Sequence, residues 1–74
     1  MGLRQYEQAI LAYQEVIKKY PNGNKVPNAM LRQAFAFYEI KDKVSSRLLL
    51  KKIIKKYPDS SEAKIASAKL KTLN

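Results

Sequence analysis

Any catalysis in this 74-residue chain would have to come from carboxylates, hydroxyls and amines, because it contains neither histidine nor cysteine. Imidazole general-base chemistry, thiolate nucleophiles and the common zinc ligand sets are thereby excluded. Six acids remain: Glu7, Glu15, Glu39, Asp42, Asp59 and Glu62. Acid–base catalysis needs groups held within hydrogen-bond reach of one substrate. The spacing instead distributes these six over helix faces, turns and caps, with no converging pair. The serines have no imidazole to activate them, which leaves a lysine base as the one open route. The sequence therefore assigns no catalytic residue, no metal ligand and no cofactor-binding residue, and the expectation is a protein that is not an enzyme.

The positive charge is the next candidate for chemistry. The chain carries a net charge of +9, split as five basic and two acidic groups in residues 1–38 and ten and four in residues 39–74. Such an excess raises the question of an anionic partner. Much of it, however, is Lys51, Lys52, Lys55 and Lys56, in the last turns of a predicted helix, where cations complement the helix dipole. Binding of nucleic acid or of a membrane surface through this third helix is the alternative function. It lacks a Gly-rich loop, a stacking platform or a recognition helix to accompany the lysines.

The elements that must position these groups follow from a repeat. The pentapeptide Ile-Lys-Lys-Tyr-Pro occurs at Ile17–Pro21 and again 37 residues later at Ile54–Pro58. A period of that length suits one helix-turn-helix unit, which can bury its apolar face only by stacking on a neighbour. Leu3, Tyr6, Ile10, Tyr13, Ile17 and Tyr20 recur in steps of three and four, which predicts a first helix with one apolar stripe, widened by Ala9, Ala12 and Val16. Pro21-Asn22-Gly23-Asn24 ends it. A second helix is predicted from about Val26 to Ile40, with Pro27 in its first turn. Lys41-Asp42 forms a tight turn before a third helix, Lys43 to Tyr57, stopped by Pro58. Asp59-Ser60-Ser61-Glu62 reads as an N-cap acid with Glu three residues on, opening a fourth helix with Ala63, Ala66, Leu70 and Leu73 on one narrow stripe. No stretch approaches the roughly 20 apolar residues needed to span a bilayer.

With this layout, the chain resembles a tetratricopeptide repeat (TPR) protein. Ala9, Tyr13, Val16 and Pro21 match the motif of the second helix of a unit, and Ser46, Leu50, Ile53 and Pro58 repeat it; Ala34 and Phe37 fill the corresponding places of a first helix. Met30 in place of tryptophan, Ser46 in place of alanine and the three extra residues per period depart from the family pattern. The resemblance implies an all-α, right-handed stack of four antiparallel helices. Residues 1–21 would be the second helix of a truncated unit, 22–58 one complete unit, and 59–74 a closing helix. The Tyr-Pro-Asn/Asp segments resemble the YbgF-type accessory proteins of the Tol-Pal system and the BamD-like outer-membrane assembly lipoproteins, as well as other bacterial TPR proteins. The first two imply a periplasmic setting, with any export signal upstream of residue 1; the cytoplasm is the alternative.

By the same resemblance the function is a non-enzymatic protein–protein interaction scaffold. Its groove positions correspond to Asn28, Leu31, Arg32, Phe35, Tyr38 and Glu39, with Ile65, Ala68, Lys69 and Thr72 from the closing helix. Asn28, Leu31, Arg32, Phe35, Tyr38 and Lys69 are the expected partner-binding set. Apolar and basic groups so mixed suit a peptide or helix with apolar anchors and some acidity. The competing reading is that Leu31, Phe35 and Tyr38 only pack between helices. Tyr6, Tyr13, Tyr20 and Tyr57 are expected in the core. The stripe of Leu3, Tyr6, Ile10, Tyr13 and Ile17 lacks a covering helix, so self-association of copies, by pairing or by exchange of helices, is expected through it.

Overall fold

The computed structural model describes residues 3–73, with side chains from Gln5 onward. Four helices follow in order: α1 (Leu3–Lys19), α2 (Val26–Glu39), α3 (Lys43–Lys56) and α4 (Ser61–Thr72). Each packs on the next, and α4 also touches α2. Short connections force each helix to run back along its predecessor. The result is the all-α, TPR-like stack expected, a slab with principal extents of 34 × 32 × 16 Å.

The helix ends show why the chain breaks where it does. In the first turn region the Gly23 N–H donates to the Tyr20 carbonyl at 2.9 Å. A Cβ on Gly23 would stand 3.2 Å from that oxygen, closer than side chains tolerate without movement. The second turn has neither glycine nor proline. Lys41 instead takes a left-handed conformation, φ 69°. Its N–H donates to the Tyr38 carbonyl and that of Asp42 to Phe37, the paired bonds of a Schellman motif. Asp42 then caps α3 by accepting from the Ser45 N–H at 3.1 Å. In the third turn the cap lies one residue later than expected. Ser60, not Asp59, is the N-cap. Its hydroxyl accepts from the Ala63 N–H and donates to the Tyr57 carbonyl. An ionised carboxylate can only accept, so serine ties the turn on both sides where aspartate could not.

The core is centred on α2. Val26, Met30, Leu31 and Ala34 of α2 meet Leu50 and Ile53 of α3 and Ala63, Ala66 and Leu73 at α4 and its C-cap. Residues are buried around most of α2, as an inner helix requires. At the α2–α3 crossing Ser46 is fully buried, and its hydroxyl donates to the Ala34 carbonyl at 2.7 Å. The departure from alanine at this position therefore carries its own acceptor. Between α1 and α2 the buried Gln33 donates through Nε2 to the Ile10 carbonyl and to Gln14 Oε1, both at 3.1 Å.

The first helix is the least embedded. Tyr6, Ile10, Tyr13 and Ile17 are half-buried, and Leu3 lies outside the residues whose side chains are described. Tyr20 was expected in the core and is 64% exposed. Its repeat equivalent Tyr57 packs against the core cluster. The difference is that α3 has α2 before it, whereas no described helix precedes α1.

Two substitutions test this account. Lys41→Gly should stabilise the chain by about 0.5–1 kcal/mol in chemical denaturation, since glycine removes the steric cost of the left-handed position. Ser46→Leu should cost about 1–3 kcal/mol, because the α2–α3 crossing has no space for a larger branched side chain.

Candidate functional site

The expected partner-binding residues are brought to one side of α2 and α4, with one exception. Asn28 and Arg32 lie one turn apart on α2, exposed, and the Arg32 guanidinium donates through Nε to Asn28 Oδ1 at 3.0 Å. That bond holds the guanidinium along the helix. Phe35 and Tyr38 follow on the next turns, half-buried against the core. From α4 the Lys69 ammonium stands 4.1 Å from the Tyr38 ring centroid and 5.9 Å from that of Phe35. The shorter distance is that of a cation–π contact, which lets the lysine lie on the ring while its charge stays at the surface. The exception is Leu31, 5% exposed and part of the core cluster. It offers a partner no open surface.

Of the further groove positions, Ile65 is 46% exposed, Ala68 and Thr72 are open, and the Thr72 hydroxyl donates back to the Lys69 carbonyl at 2.7 Å. That bond fastens the last turn of α4 beneath Lys69. Glu39 is exposed at the far end of α2.

Three features escape the sequence reading. Tyr6, Ala9 and Tyr13 of α1 join Arg32, Phe35, Ala36 and Glu39 of α2 around a groove of about 230 Å³. Two of the residues expected to drive self-association thus share a surface with two expected to bind a partner. The second feature is Gln33, whose bridging role has no sequence signature beyond a polar residue among apolar ones. The third is Arg47, whose guanidinium donates through Nη2 to the Leu73 carbonyl at 3.3 Å, satisfying an end of α4. Its buried Nε has no partner among the described residues.

The basic third helix is as solvated as its sequence suggests: Lys51, Lys52, Lys55 and Lys56 are all exposed. Among the described residues no three acidic or metal-binding side chains come together, and no described helix is long and apolar enough to cross a membrane.

Comparison with known proteins fits this geometry. No curated protein and no solved structure matches the chain. A family profile described as a tetratricopeptide repeat matches residues 1–23 and 28–60, which take in α1, α2 from Asn28 onward, and α3. With four helices packed in sequence and the matched segments covering well over half of the chain, the protein belongs to the tetratricopeptide repeat family.

Proposed function

We propose that this chain is a docking scaffold that holds a peptide or helix of another protein against the shared face of α2 and α4. Tetratricopeptide repeats generally mediate protein–protein interaction, and the supporting observation here is Lys69 lying 4.1 Å from the Tyr38 ring. Together with Arg32 and Phe35 this makes an aromatic surface edged by two cations. It fits a segment with one apolar or aromatic anchor and a carboxylate beside it. Aromatic anchors in such surfaces carry most of the binding energy, while the charges choose the partner. The Tyr-Pro-Asn/Asp resemblance points to bacterial cell-envelope organisation as the setting.

Two other readings have less behind them. Self-association through Tyr6, Ile10, Tyr13 and Ile17 loses driving force because α2 already covers part of each. Binding to nucleic acid or an anionic membrane through α3 has the four exposed lysines in its favour. Exposed lysines without a shaped site give only sequence-independent, salt-sensitive attraction.

Selection from a displayed library of random peptides tests the main reading. Enriched sequences should pair an aromatic or large aliphatic residue with Asp or Glu. Arg32→Glu and Lys69→Glu should abolish the acidic preference, and Tyr38→Ala should weaken binding by about 1–3 kcal/mol. A melting curve for each variant separates lost contact from lost fold. Raising the salt should weaken the selected peptides only a few-fold, against the steep power-law loss of a polycationic binder. Enrichment of polyacidic sequences with no apolar anchor would favour α3 instead.

A further inference from the structure

A cleft of about 350 Å³ between α3 and α4 is lined by Arg47 and Lys51 from one helix and by Ser67, Leu70 and Lys71 from the other. No acid lines it: α3 has none, and Glu62 of α4 lies in the first turn, away from Ser67 and Lys71. Packing does not account for these charges. Shifted back by 37 residues, the five positions are Ile10, Gln14, Met30, Gln33 and Ala34 of the preceding helix pair. There Met30 and Ala34 are buried, and Ser46 of α3 bonds the Ala34 carbonyl. A helix laid on α4 in that manner would meet Lys71 at the crossing. The cleft is therefore no seat for a further helix, and its cations are left for something other than packing.

The side chains stand at two levels. Arg47 donates to the Leu73 carbonyl, which sets it at the C-terminal end of α4 beside Lys71. Lys51 lies one turn further along α3, about 6 Å away, and the antiparallel course of α4 puts Ser67 opposite it. Every polar side chain on the walls is thus a donor. The Arg47 guanidinium is incompletely used, because Nη2 makes one long bond of 3.3 Å and the buried Nε has no partner among the described residues. An unpaired buried donor is costly, and like charges around one cleft raise one another's energy. An anion with several oxygens relieves both, since a small turn of the guanidinium presents its Nε–Nη edge as the bidentate fork that phosphate fits.

From this geometry we infer that the α3–α4 cleft binds a diphosphate group. A single phosphate meets one level. Two linked phosphates reach both, one at Arg47 and Lys71 and the other at Lys51 and Ser67. The charges match as well: the three cations of the cleft face a group with about three negative charges at neutral pH, since the second ionisation of a phosphate lies near pH 6. Residues two apart on a helix point to nearly opposite sides, so this site lies across α4 from Lys69 and does not depend on the docking face of α2 and α4.

The test uses the intact protein and inorganic pyrophosphate alone, followed by two-dimensional NMR of the backbone amides and the arginine Nε–H groups. Saturable shifts are expected at Arg47, Lys51, Ser67 and Lys71, with half-saturation below about 1 mM. Orthophosphate should bind about tenfold more weakly for want of the second level. Lys51→Gln combined with Lys71→Gln should weaken pyrophosphate at least about tenfold, the scale of a lost charge-assisted bond. Lys55→Gln combined with Lys56→Gln removes the same charge from outside the cleft and should change affinity less than about two-fold. Arg47→Lys keeps the charge without the fork and should also weaken binding. Should it lower the melting temperature, the paired lysine variants, at exposed positions, carry the test. Absence of saturation up to about 1 mM, equal weakening by the two lysine pairs, or shifts spread evenly along the lysines of α1 and α3 would overturn the inference and leave only unspecific attraction of anions. Tighter binding of ADP or of geranyl diphosphate than of pyrophosphate would support it and identify what carries the diphosphate, a nucleoside or an apolar chain lying on Leu70. Where neither gains, the free anion is the occupant.

Discussion

The close approach of α2 and α3 at Ser46 and Ala34 is the constraint on which the stack depends. Both residues are fully buried, and a larger side chain at either would push the helix axes apart. With the backbones close, Leu50 and Ile53 reach the interior beside Met30, and α4 can lie against α3 with nothing larger than alanine at Ala63 and Ala66. The buried hydroxyl is not a defect in this arrangement. Its bond to the Ala34 carbonyl offsets the cost of taking it out of water, and the bond is available only when the crossing is this tight.

Much of this was legible in the sequence because it is periodic. The steps of three and four from Tyr6 to Ile17, the recurrence of Ile-Lys-Lys-Tyr-Pro and the breakers at Pro21 and Pro58 locate four helices to within a residue or two of those observed. Periodicity places a residue on a face but does not say what lies opposite. Leu31 and Phe35, four apart, share a side of α2, and only the tertiary arrangement sends one into the core and leaves the other half-open. Tyr20 and Tyr57 are identical in local sequence and differ in burial for the same reason. The cap at Ser60 was missed because aspartate and serine are both good N-caps. The choice between them turned on a second bond, to Tyr57, that a cap rule does not consider.

The charges divide by role rather than by density. The densest run, on α3, points into solvent. Among the described residues, three cations outside that run make defined contacts: Arg32 on Asn28, Lys69 on Tyr38 and Arg47 on the end of α4. A single cation with a defined neighbour can discriminate between partners, while a solvated run cannot. Net charge alone therefore misdirects attention toward the solvated lysines of α3 rather than toward these three.

The uneven embedding of the helices has a consequence for how the molecule opens. No described side chain of α1 is fully buried, while α2, α3 and α4 all contribute fully buried ones. In an array where each element is held by its neighbours, the end with the poorer interface frays first. Amide protons of α1 should thus exchange with solvent through local openings of low free energy, those at the centre of α2 and α3 only through global unfolding. Anything that settles between α1 and α2 then does more than occupy a surface. It draws α1 into the cooperative unit, so that part of its binding energy is spent on ordering the helix, and the slowing of amide exchange along α1 becomes a direct readout of occupancy.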